Sequence, residues 1–178
     1  RKVEVIHLHS GGETLLHNQV GELLNIIKKY KDSAKAKGKR FPTINLLTNG
    51  TPLTEKKTLE IITSGAVDVM RFSMDGGSPK RFEEVRIKAK WELFHKNITF
   101  FLEENKKAGR IIKTHIISVI DPEKELKTEW MTSEFVDILN SVDSYELRHP
   151  HTWAGEVDID GDSSNNRVKP HKIGCGLL

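Results

Sequence analysis

Apolar positions along this chain follow two alternating periods. Short runs with apolar residues at every second position, or without interruption, take turns with stretches in which they recur every third or fourth. Residues 3–9 read as a strand, and Val20, Leu23, Leu24 and Ile27 then mark one stripe of a helix. Gly38 and Pro42 punctuate the chain before a second strand over 43–48. A helix over about 54–64 follows, with Leu59 and Ile62 inward and Gly65 as its C-cap. A third strand covers 68–75. After it Phe82 and Val85, then Phe94, Ile98, Phe101 and Leu102, keep helical spacing as far as Gly109, with a break near 88–91. A fourth strand over 112–120, the Asp121-Pro122 turn, a helix near 133–141 and a fifth strand over 145–148 complete the body. Strands joined by helical crossovers predict a parallel α/β sheet with right-handed connections.

Side-chain parity refines that expectation. In the third strand Met70, Phe72 and Met74 share one face while Arg71, Ser73 and Asp75 share the other. Ile6 and Leu8 likewise oppose His7 and His9, and Glu146 and Arg148 oppose Tyr145, Leu147 and His149. A parallel sheet covered on both faces reads as almost continuously apolar strands, so one polar face predicts a partial parallel (β/α) barrel over 1–151 whose lumen holds a site.

Composition narrows the function classes. With 178 residues, 37% hydrophobic and 30% charged, the chain can bury one substantial core. Its net charge of +3 comes from 28 basic and 25 acidic residues that are interspersed, so no basic tract points to nucleic acid. No apolar run approaches the roughly 20 residues a membrane span needs. The single cysteine, Cys175, excludes an internal disulfide framework and fits a reducing cytosol, which predicts a cytoplasmic protein. The chain opens at Arg1 without a methionine and ends shortly after Cys175, which reads as a fragment of a longer protein. Residues 152–174 lack an apolar stripe and read as linker. Within them Asp158-Ile159-Asp160-Gly161-Asp162 imitates a calcium loop, but its glycine comes too early and Lys169 stands where the bidentate glutamate belongs.

Candidate chemistry gathers at strand ends. Gly11-Gly12-Glu13-Thr14 follows the first strand, Thr48-Asn49-Gly50 the second and Ser73-Met74-Asp75-Gly76 the third. Glycines there expose backbone groups to a ligand, and a carboxylate beside them can bind a cationic amine. These three motifs, in this order, resemble those of the radical S-adenosylmethionine (SAM) enzymes, in particular the branch with a cysteine-rich C-terminal SPASM extension. The resemblance covers about 1–150, with a fainter match at Cys175. It implies that Gly11, Gly12 and Glu13 bind the SAM amino group, with Thr14 where the family often has proline, and that Thr48 and Asn49 end the next strand of the site. It further implies that Ser73 and Asp75 sit near the SAM ribose and that Arg86, in Phe82-Glu83-Glu84-Val85-Arg86, reaches its carboxylate. The implied activity is reductive cleavage of SAM at a four-iron, four-sulfur cluster to a 5′-deoxyadenosyl radical. That radical would abstract hydrogen from a peptide, protein or other substrate, with flavodoxin or ferredoxin as electron donor.

The largest departure is that the family's CxxxCxxC cluster loop is not in this chain, which places those ligands upstream of Arg1 and leaves the chain inactive alone. The 152–178 segment would then be a linker and the start of a truncated SPASM-like extension, with Cys175 as a candidate auxiliary cluster ligand.

Other readings use the same residues. His7 and His9, alternating on a strand, could ligate zinc in a barrel metallohydrolase, with Asp75 or His115 as further ligands. A half-barrel could also be a scaffold that docks through its sheet edges. Arg71 and Asp75 could form a structural ion pair, and Arg86 could be solvated or bound to a nearby glutamate. His115, Glu146, Arg148 and His149 are the candidates for substrate specificity, and His149-Pro150-His151 reads as a rim turn or substrate contact.

Overall fold

The computed structural model describes residues 2–9 and 12–150. Strand β1 (Val5–His7) leads through one 3-10 turn (Thr14–Leu16) into helix α1 (Val20–Ala36). There follow β2 (Thr43–Thr48), α2 (Glu55–Ser64), β3 (Val69–Ser73), α3 (Pro79–Val85), α4 (Trp91–Lys107), β4 (Lys113–Val119), α5 (Ser133–Ser141) and β5 (Ser144–Arg148). The five strands form one parallel sheet in the order β1-β2-β3-β4-β5. Because the order never reverses, right-handed crossovers carry every helix to the same face of the sheet.

Burial follows that geometry. Ile44, Leu46, Met70, Phe72, Thr114, Ile116 and Ser118 are buried, while the alternate residues of the same strands are only partly so. Of the buried set, Leu46, Met70, Phe72 and Ile116 join one core cluster with Leu24 of α1, Ile61 of α2, Phe94, Ile98 and Phe101 of α4, and Phe135 of α5. Phe72 meets Phe101 edge-on at 5.5 Å, and Trp91 stacks on Phe135 at 5.7 Å. The opposite face carries Asn45, Arg71, Ser73, His115 and Glu146 and has no helix over it among the described residues.

Local signals set the element ends. Thr54 caps α2 by accepting from the Lys57 amide, and Gly65 closes it in the left-handed conformation. Ser78 caps α3, with Pro79 in its first turn. The break expected near 88–91 is present, with Lys88 at φ 67°. There the Glu83 carboxylate accepts from the Trp91 amide at 2.9 Å, capping α4 in place of Lys90, and that bond holds the Glu83 carboxyl below its ordinary range.

Some expectations are corrected. Leu59 is 44% exposed, because α2 turns Thr58, Ile61 and Ile62 toward the sheet and Leu59 lies about 100° around the helix from Thr58. Val85, at the end of a short helix, is also exposed, as is Leu23 on the outer flank of α1. Strand β1 pairs over three residues, shorter than the 3–9 run. No helix among the described residues is long and apolar enough to cross a membrane. The 151–178 segment, with the calcium-loop look-alike, His151 and Cys175, lies outside the described residues, as does Gly11.

Candidate functional site

The residues singled out at strand ends meet at the C-terminal edge of the sheet in two adjoining networks. The first is centred on Glu13, which caps the 3-10 turn by accepting from the Leu15 amide at 3.1 Å. Its carboxylate also crosses to the end of β2. There Oε1 accepts from the Thr48 hydroxyl at 2.8 Å and Oε2 from the Asn49 amide at 2.7 Å. Thr48 is buried, and its hydroxyl in turn accepts from the Gly50 amide. Asn49 uses Oδ1 to accept from Thr51. A carboxylate offers about four acceptor positions, so three bonds leave Glu13 one for a ligand. Gly12 is exposed, and a Cβ there would meet nothing within 4 Å, so the backbone beside Glu13 is open to approach.

The turn after β2 is held from below. Asn97 of α4, itself buried, donates Nδ2 to the carbonyls of Gly50 at 2.9 Å and Thr51 at 3.1 Å. Gly50 sits at φ +77°, and a Cβ would lie 2.5 Å from the Phe94 ring, so no other residue fits. The sequence marks Asn97 only as a polar residue inside an apolar helix stripe.

The second network joins Ser73, Asp75 and Arg86. Arg86, at the end of α3, donates Nη2 to Asp75 Oδ2 at 2.6 Å and to the Ser73 hydroxyl. Asp75 Oδ1 accepts from the Val119 amide at 2.8 Å, tying the pair to β4. The side chains are only 19% and 15% exposed, and the guanidinium lies 5.6 Å over the Phe82 ring. Arg86 is thus neither solvated nor paired with a glutamate. The alternative Arg71–Asp75 pair is not formed, because Arg86 reaches Asp75 from the end of the helix while Arg71 stands four residues earlier in the chain. Arg81, which the sequence did not single out, grips Asp121 with both Nε and Nη2, and this raises its own pKa and clamps α3 to the loop after β4.

Below these networks, on the helix-free face, the register aligns Leu47, Arg71, His115 and Ser144 in one row and Ser73, Ile117 and Glu146 in the next. His115 Nδ1 lies 2.8 Å from the Ser144 hydroxyl. Glu146 binds Arg148 through both oxygens at 2.7 and 2.6 Å, which holds the Glu146 carboxyl low and raises Arg148. Burial lowers the His115 pKa, and Arg71 and Arg148 lower it further against Glu146. His9 is lowered by burial, then by His7 and Arg71. Both imidazoles are therefore neutral near pH 7. Of the specificity candidates, His115, Glu146 and Arg148 share this face, whereas His149 turns to the Lys124 carbonyl at 2.9 Å.

Beside β1 an open cavity of about 730 Å³ is lined by His7, His9, Glu13, His17, Leu23 and Ile26 among others. His7 and His9 meet edge-on at 5.2 Å, but no group of three or more potential metal ligands occurs among the described residues. Asp75 and His115, the proposed further ligands, are instead bound to Arg86 and Ser144. No protein-family model and no curated protein matches this sequence.

Proposed function

We propose that this chain is the SAM-binding part of a radical SAM enzyme, folded as a partial parallel (β/α) barrel. The observation that carries the reading is the meeting of Glu13, Thr48 and Asn49 with Ser73, Asp75 and Arg86 at the C-terminal ends of adjacent parallel strands. That edge of a parallel α/β sheet is where ligands bind. The unreversed strand order and the polar, helix-free face support a barrel wall over a doubly wound sheet, which would need helices on both faces.

The residues present fit the cofactor's polar groups. Glu13 has one acceptor position left for an ammonium, beside the open backbone of Gly12. Ser73 and Asp75 can serve a ribose diol, and Arg86 a carboxylate, if its Nε, which has no partner, is the group that turns to it. Bound SAM supplies the 5′-deoxyadenosyl radical upon one-electron reduction. The residues of this chain would bind and orient it along the C-terminal edge of the sheet.

An iron-sulfur cluster does not fit residues 1–178 alone, since it needs several thiolates and Cys175 is the single one. Its ligands therefore belong to other parts of the protein, as does the contact with a flavodoxin or ferredoxin donor.

The test is SAM affinity by calorimetry on the anaerobically reconstituted full-length protein, with Glu13→Gln as the variant. Gln keeps an acceptor for the Asn49 amide but lacks the charge, so SAM binding should weaken about tenfold or more. Unchanged affinity sinks the assignment, as does a wild-type protein that neither contains iron nor cleaves SAM when reduced.

A further inference from the structure

Arg71 stands on the helix-free face, partly buried, without an ion-pair or hydrogen-bond partner among the described residues. The carboxylates that could neutralise it are already matched. Asp75 is bound to Arg86, and both oxygens of Glu146 are bound to Arg148. The imidazoles nearest to it, His9 and His115, add no charge near neutral pH, because burial and Arg71 itself keep them deprotonated. Among the described residues one partly buried positive charge is thus left over on this face, Lys113 at the far end of β4 being exposed, and a partly desolvated guanidinium gains from a matching anion.

Two other polar atoms here lack partners among the described residues. His9 Nε2 and Asn45 Oδ1 are both buried and make no hydrogen bond. Asn45 is in register with His7 and Val69, one row from the Leu47–Arg71 pair on the same face. Leu47, opposite Arg71, and Ile117, in the row above, put apolar surface beside these polar groups.

We propose that this face binds a carboxylate-bearing ligand, its two oxygens held by the Arg71 fork, its flanks met by His9 and Asn45 and its carbon chain lying on Leu47 and Ile117. The planar guanidinium matches a carboxylate edge in bidentate fashion. A single surplus charge suits a monoanion, whereas a phosphate dianion would remain half unmatched. That this ligand is the substrate rests on the radical SAM reading; that a carboxylate binds here does not.

Sodium butyrate, butyramide and inorganic phosphate serve as probes, titrated into the full-length protein while the Arg71 Nε–Hε and His115 Cε1–Hε1 NMR signals are followed. Butyrate should shift both signals saturably. Butyramide, which lacks the charge, should bind about tenfold more weakly or worse. Arg71→Met should abolish the butyrate response at His115. Arg71→Lys keeps the charge without the fork and should weaken binding about tenfold, which guards against a folding defect in the methionine variant. Equal responses to butyrate and butyramide, tighter binding of phosphate, or an undiminished response in Arg71→Met would each overturn the proposal. SAM affinity measured on the same samples separates the two readings. It should be unchanged by Arg71→Met, and a wild-type protein that binds butyrate but not SAM removes the cofactor assignment alone.

Discussion

The pair between Asp75 and Arg86 can be tested as a stability element independently of any ligand. The side chains are 15% and 19% exposed and approach to 2.6 Å, so the pair behaves as buried more than as surface. Two unit charges about 4 Å apart at an effective dielectric near 20 attract by about 4 kcal/mol, and dehydration of both groups offsets part of that. Asp75→Ala strands a guanidinium whose Nε already lacks a partner, leaving it only the Ser73 hydroxyl and the Phe82 ring. Breaking one side of a buried pair costs about 3–5 kcal/mol, and that is the expected loss. Arg86→Ala strands a carboxylate that keeps the Val119 amide, so its cost should fall at or below the low end of that range. The double variant removes both charges and should recover about 2–3 kcal/mol of the summed losses. Urea unfolding of the wild type, both single variants and the double variant, with equal m-values, measures this coupling. A coupling below about 0.5 kcal/mol, typical of solvated pairs, would refute the argument from burial.

Two further outcomes follow from contacts at the two ends of the sheet. Gly77 sits at φ +74° with its would-be Cβ 2.3 Å from the Trp130 ring, so Gly77→Ala must both strain the backbone and displace the indole. It should cost about 2–5 kcal/mol, a fall in Tm of about 5–15 °C, and a shift under about 2 °C would contradict the contact. Asp143 accepts from the Thr114 amide at 2.7 Å and from its hydroxyl at 2.8 Å, and these bonds, the amide first, hold its carboxyl below the ordinary value of 3.8. A depressed carboxyl stabilises the fold above its unfolded value and loses that contribution as pH falls through the folded one. Because the side chain is 40% exposed and screened by solvent, Asp143→Ala should destabilise by only about 0.5–1 kcal/mol at neutral pH and by clearly less near pH 3. An equal loss at both pH values, measured by urea unfolding, would show that the charge is not what matters.

The legible and illegible parts of this protein divide along physical lines. Helix α5 and strand β2 have the bounds their apolar spacing and capping residues predict, because both are local properties of a short segment. The capping glycine at Gly65 and the break before Trp91 were readable for the same reason. Leu59 was misplaced because a stripe of Thr58, Ile61 and Ile62 includes a threonine, and a polar residue hides the inward face from a count of apolar ones. Arg81 and Trp130, which brace the site loops, carry no signal in the sequence, and Asn97 shows only as a polar residue in an apolar stripe, since each acts on a segment far away along the chain.

Local residue order is enough to show that strands and helices alternate, which face of the central strands is apolar, and that Glu13, Asn49, Ser73 and Asp75 follow strands. These follow from periodicity and from the two-residue repeat of a pleated strand. The partners of those residues come from the folded arrangement. Parallel register brought Glu13 to Thr48, α3 delivered Arg86 to Asp75, and Arg148 took both oxygens of Glu146. Pairing of charges depends on distance after folding, and many assignments satisfy the same sequence. With those pairs formed, Arg71 has no partner among the described residues of the helix-free face, a property of the whole sheet that no stretch of the chain contains.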